Sequence, residues 1–193
     1  MLSRLLFFIG VIFFLAGCET KSVSKQTYLD IDSLIDVQIK NLTLAGAHVE
    51  KTAVLGNTSD QSQFVPDSTG WSSELDVFRE LNTINKPIYK DQYVITDGEK
   101  DSNSNLIIRT YQAKDDLPVR SLSLYYYKSL NSIKKLKAVY NKENILYSTE
   151  RTLTMNFDEV KGKHLLADYS VSGIQKMIVS DTVRFSITCH IIF

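Results

Sequence analysis

Three histidines, two cysteines and a scatter of carboxylates are the residues of this 193-residue chain with the chemistry to break bonds or hold metals. A structural or catalytic zinc site draws three or four ligands at recognisable spacings. None of His48, His164 and His190 stands in a pattern such as H-E-x-x-H. Cys189 and His190 are neighbours in an alternating segment that reads as a strand, so their side chains point to opposite faces and cannot form a thiolate–imidazole pair. Asp30, Asp32 and Asp36 read as the solvated face of a helix, and Asp115-Asp116 as part of a turn. Acid–base carboxylate pairs are assembled in space, and sequence spacing does not show them. Asp101, Asn103 and Asn105 imitate the opening of an EF-hand loop, but Leu106 stands where the turn needs glycine and Gln112 where a bidentate glutamate belongs. The chain carries no G-x-S-x-G elbow, P-loop or dinucleotide fingerprint. The expectation is a protein that is not an enzyme and uses no cofactor and no metal.

Charge excludes a further class. Lysine plus arginine equals aspartate plus glutamate at 22 each, whereas nucleic-acid binders present a basic patch that neutralises phosphates. The one local cluster, Lys134, Lys135 and Lys137, alternates with apolar residues and reads as a wet strand face, so no nucleic acid is expected as a partner. Tyr125-Tyr126-Tyr127 alternates as well. Tyr126 falls with Leu122 and Leu124, while Tyr125 and Tyr127 fall with Ser121 and Ser123, where tyrosines can serve either as strand formers or as a recognition surface.

The first residues carry the most specific chemistry. Arg4 is followed by an apolar run from Leu5 to Leu15 and then by Leu15-Ala16-Gly17-Cys18. A span needs about twenty apolar residues, and at about 1.5 Å per residue the run from Leu5 to Gly17 covers only about 20 Å of a hydrocarbon core about 30 Å thick. It has the length of a signal-peptide core. Its ending resembles the bacterial lipobox at all four positions: an aliphatic residue, two small residues and a cysteine. That resemblance implies that residues 1–17 are a removed lipoprotein signal peptide and that Cys18 becomes the lipid-bearing N-terminus. Two or more acyl chains hold a protein stably, where one holds it marginally. With Cys18 so used, Cys189 has no partner and no disulfide is expected.

The elements that must position everything else follow from periodicity. Residues 18–26 are polar and read as a tether, leaving residues 27–193 as one domain. Tyr28, Ile31, Leu34, Ile35, Gln38 and Leu42 share a helical stripe capped by Thr27 and ended by Gly46. "AHVEKTAVLG" alternates imperfectly as a first strand, and "NTSDQSQF" reads as a loop. Trp71, Leu75, Phe78, Leu81 and Ile84 mark a second helix, with caps in Asp67–Thr69 and an end at Pro87. From Tyr89 the period becomes two. "QYVI" is followed by a polar loop "TDGEKDSNSN" and then by six alternating segments with short polar links, which must pair as antiparallel neighbours. The fold expected is α+β: two N-terminal helices packed on one face of a curved antiparallel meander sheet of about seven strands.

"GWSSELDVFRELNTINKPIYKDQY", "LYSTERTLTMNF" and "LLADYSVSGIQKMIV" resemble a group of uncharacterised lipoproteins from Bacteroidetes. The resemblance implies a double-membraned cell and an outer-membrane address. It also makes Asp32-Ser33-Leu34, Asp67-Ser68-Thr69 and Asp181-Thr182-Val183 candidate O-glycosylation sequons at Ser33, Ser68 and Thr182. The architecture resembles lipoprotein carriers of the LolA and LppX type, which curl a long sheet around helices to hold acyl chains. The function expected is that of a membrane-anchored, non-catalytic envelope lipoprotein that binds or scaffolds an envelope protein or glycan. The alternative is a carrier or sensor of a lipid or other hydrophobic ligand held between sheet and helices.

Overall fold

The computed structural model describes residues 28–178 and 180–193. Helix α1 (Ile31–Ala45) turns Ile31, Ile35, Gln38, Ile39 and Leu42 to the interior. Asp30 caps it by accepting from the Ser33 amide at 3.0 Å, and Gly46 ends it in the left-handed region at φ 61°. Strands β1 (His48–Leu55) and β2 (Thr58–Phe64) form a hairpin, with Leu55 opposite Thr58 across a turn that begins at Gly56. Helix α2 (Ser68–Arg79) follows, capped by Asp67, which accepts from the Gly70 amide at 2.7 Å. It buries Trp71, Leu75 and Phe78, then tightens into a 3-10 segment (Glu80–Asn85) that buries Leu81 and Ile84, and a short 3-10 turn starts at Pro87.

Seven strands complete the chain: β3 (Tyr93–Lys100), β4 (Ile107–Ala113), β5 (Val119–Tyr126), β6 (Ile133–Glu143), β7 (Tyr147–Val160), β8 (Lys163–Met177) and β9 (Ser180–Ile192). The nine strands of the described residues form one antiparallel sheet in the order β2-β1-β9-β8-β7-β6-β5-β4-β3.

This arrangement corrects the expected fold. The sheet has nine strands rather than about seven, and only one of the two α-helices among the described residues precedes it. Residues 58–64, expected as loop, are the edge strand β2. Almost every side chain of β2 is exposed, so no apolar alternation marks it. The hairpin β1–β2 joins the sheet through β1 against β9, a pairing between chain ends that short connections cannot reveal. The polar stretch after Ile95 is strand as far as Lys100, with a register shift between Asp97 and Glu99 and Gly98 at φ 91°. The first helix is capped by Asp30, not by Thr27, which lies outside the described residues.

Both helices cover the same sheet face. Ile31, Ile35, Leu42, Trp71, Leu75 and Phe78 pack against Leu122, Leu136, Met155, Tyr169 and Cys189 in one apolar cluster. Phe78 meets Tyr169 edge to face at 5.8 Å, a favoured aromatic geometry. Gln38 lies among these apolar residues because β7 and β8 slip register between Asn156 and Phe157. Its side-chain oxygen accepts from the Leu166 amide at 2.8 Å and its amide donates to the His164 carbonyl at 3.3 Å. Backbone groups displaced by the bulge are thereby satisfied from the helix.

Candidate functional site

Among the described residues, the histidines, cysteine and carboxylates with the chemistry to hold a metal lie apart. Cys18 lies outside the described residues. Ser33 is exposed on α1, its hydroxyl donating to Asp30 at 2.7 Å; Ser68 is exposed at the start of α2, and Thr182 is exposed on β9. His48 and His190 are exposed near the ends of neighbouring strands, whereas His164 stacks on Phe157 at 5.2 Å with its Nε2 buried and unpartnered. Burial, reinforced by Lys134, pushes the His164 pKa down. Among the described residues no group of histidines, cysteines and carboxylates is placed to hold a metal. Cys189 is buried and His190 exposed, and burial pushes the thiol's pKa up, which disfavours the thiolate a nucleophile needs. Asp32 and Asp36 face Arg79 of α2 at 3.6 and 2.5 Å, bracing helix to helix. The Asp101–Asn105 loop is closed by its own bonds, Ser104 to Asp101 and the Leu106 amide to Ser104.

Two features are assembled instead. The first is an open cleft of about 570 Å³ where the polar edge of α2 and the 3-10 segment overhang the sheet. Glu74 of α2 accepts from Lys51 of β1 at 2.8 and 3.0 Å and from the Tyr169 hydroxyl of β8 at 2.6 Å. Burial drives the Tyr169 pKa far up, so the phenol remains a donor to that carboxylate. Glu80 meets Arg151 of β7 and, at 3.4 Å, Lys142 of β6, while the Arg151 guanidinium lies 4.9 Å from the Tyr140 ring centre. The floor is Thr149, Val171, Phe185 and Ile187. Each carboxylate is spoken for by a cation, so the cluster acts as a pair of braces holding α2 and its extension to the sheet.

The second feature is the outer face of the sheet, which the helices leave uncovered. Strand register carries one ladder across all nine strands: Thr96, Thr110, Ser123, Lys137, Thr154, Ser170, Thr188, Thr52 and Gln61. The adjacent ladder holds Gln112, Ser121, Val139, Thr152, Ser172, Ser186, Val54 and Ser59. Small hydroxyl side chains thus repeat at the strand spacing of about 4.8 Å, each able to donate and accept. A shallow depression of about 440 Å³ opens at one end, between Thr152, Ser172, Ser186, Val54, Arg184 and Glu150. Farther along this face Lys135 lies 5.4 Å from the centre of the Tyr125 ring, which places Tyr125 on it; Tyr126 turns inward and donates to Asp97 at 2.8 Å.

The cleft was not named from sequence; the outer face was read only in part, as the wet parity that holds Ser121, Ser123, Tyr125 and Tyr127. A signal for the cleft was present, because Lys51 shares strand parity with Val49 and Ala53, and Arg151 with Leu153 and Met155. A charge on an apolar parity points inward and must be paired. The ladders needed the strand registers, which the sequence does not carry.

No family model, curated protein or solved structure matches the chain.

Proposed function

We propose that the protein is a membrane-anchored cell-envelope lipoprotein, non-catalytic, that binds or scaffolds an envelope partner through the outer face of its sheet. The observation that carries this reading is the run of hydroxyls Thr154, Ser170, Thr188 and Thr52 on four neighbouring strands, continued past Lys137 by Ser123 and Thr110. A merely solvated antiparallel face needs only polar residues of any kind. Here long charged side chains are scarce across the middle of two ladders, so backbone and hydroxyls stay within reach of a neutral polar partner, protein or glycan, that can match many weak hydrogen bonds. Lipid attachment at Cys18 keeps the module at a membrane, and the address proposed is the outer membrane. Ser33, Ser68 and Thr182 are proposed as O-glycosylation sites, and their exposure supports access by a transferase.

The test is affinity capture from detergent-solubilised envelope with the native protein and with Thr154→Arg and Ser170→Arg, which place long charged side chains in the middle ladder. Retention of one specific protein or glycan by the native chain, and its loss from both variants with unchanged thermal unfolding, is the expected result. Equal capture by all three would sink the outer-face reading. The apolar floor of the cleft supports a second reading, a carrier of a hydrophobic ligand, for which extraction and mass analysis of co-purifying lipid is the discriminating assay.

A further inference from the structure

Two of the turns at one end of the sheet are built from residues that turns rarely use, whereas Gly56-Asn57 between β1 and β2 and the β4–β5 link with Asp115 and Asp116, at the same end, are polar. Hairpin tips favour Gly, Pro, Asn, Asp and Ser, yet the β6–β7 turn presents Ile145 at 88% and Leu146 at 68% exposure, and the β8–β9 turn presents Ile178 at 70% beside exposed Met177. The two turns are locked side by side, the Ile178 amide donating to the Leu146 carbonyl at 3.1 Å. Asn144 accepts from the amides of Leu146 and Tyr147 at 2.8 and 3.0 Å, which fixes the tip outward. Exposed Leu55 ends β1 in the neighbouring hairpin at this end. The Asp101–Asn105 and Lys161–Gly162 turns, at the opposite end, are polar.

The described chain also begins at the apolar end. Tyr28 packs on Tyr93, the first residue of β3, at 5.6 Å and on Tyr111 at 5.4 Å. Tyr93 pairs with Ala113, and Val119 with Tyr140, which puts the start of β3 on the side of the sheet where β6 runs into its turn. Nine residues lie between Cys18 and Tyr28, ten backbone steps with a reach of at most about 36 Å. A lipid on Cys18 therefore lies within reach of the apolar turns.

We propose that the β6–β7 and β8–β9 turns dock this end of the domain on the lipid bilayer that holds Cys18, with Ile145, Leu146 and Ile178 entering the boundary between headgroups and acyl chains. The inference rests on the lipid-anchor reading. Lys142 and Lys176 flank the turns at headgroup level, with Glu143 and Asp181 beside them, so the attachment is apolar rather than a net-charge attraction. Bound in this way, the sheet stands on its end, and its outer face is presented to the side of the membrane rather than laid on it.

The experiment reconstitutes the lipid-modified protein in vesicles of phosphatidylethanolamine and phosphatidylglycerol containing a brominated lipid. Ile145→Trp, Ile178→Trp and Leu44→Trp are compared; Leu44 is 69% exposed near the end of α1 that leads into β1, away from the turns. Docking predicts that bromine quenches about half or more of the added emission at positions 145 and 178 and leaves that at 44 untouched, as insertion of about 5–10 Å requires. Vesicle-bound protein without quenching at 145 and 178 overturns docking while leaving the anchor intact. Protein that leaves the vesicles overturns both. A blue shift at 145 and 178 that depends on protein concentration, without quenching, assigns the turns to a second copy of the chain and also overturns the proposal.

Discussion

Gln38 sits on the buried stripe of α1 with both ends of its amide committed to β8. Gln38→Leu keeps the volume and removes the acceptor for the Leu166 amide, so it is predicted to destabilise the fold by about 1–3 kcal/mol, the cost of a buried unpaired backbone donor; denaturant unfolding measures it. Gly173 is constrained by space rather than by φ. A Cβ there would stand 2.3 Å from the Glu150 carbonyl oxygen and 3.0 Å from the Phe185 ring. Gly173→Ala must push β7 and β8 apart and is expected to cost about 1–3 kcal/mol, in the range of core overpacking. His164 gives a pH dependence. Burial and Lys134 hold its folded pKa below the ordinary value, against weaker opposing pulls from the Ile133 carbonyl, Asp158 and Glu159. The unfolded chain therefore takes up the proton first. This contribution is fully present above the ordinary imidazole pKa, near 6.5, and declines as pH falls through it toward the depressed folded value. Between about pH 8 and about pH 5 the native protein should lose more stability than His164→Gln, and thermal unfolding at the two pH values checks this.

Helices and strands were legible to different degrees, for physical reasons. The α2 stripe could be read because Trp71, Leu75 and Phe78 repeat at helical spacing and all three are buried. Its cap was legible too: Asp67→Ala should cost about 1 kcal/mol, read from the unfolding midpoint. Strands β7 and β9 were legible as alternating segments, and Leu153, Met155, Phe157 and Cys189 are buried on their inner faces. Strand β2 was not legible, because an edge strand whose seven residues bury little carries no period-two signal. Nor was the junction of the β1–β2 hairpin with the rest of the sheet, since that depends on β1 finding β9 across more than a hundred residues. The cleft falls between these cases. Lys51 and Arg151 announced themselves by parity, but their partners Glu74 and Glu80 sit on another element and are found only in three dimensions.

At the scale of the whole molecule, the function proposed joins a tether, a sheet and a membrane. No helix of the described residues is long and apolar enough to cross a bilayer; the attachment proposed is the lipid on Cys18 and, beside it, the apolar turns. The inner face of the sheet is filled by the helices, and in the function proposed the outer face offers its hydroxyls to a partner. All of this depends on Cys18. The most direct test is the intact mass of the mature protein extracted from the envelope of a lipoprotein-processing cell. The account predicts an N-terminus at Cys18 carrying diacylglycerol and an amide-linked acyl chain, with Cys18→Ala left unmodified and released from the membrane fraction. An unmodified N-terminus at any other residue in the native protein would contradict it.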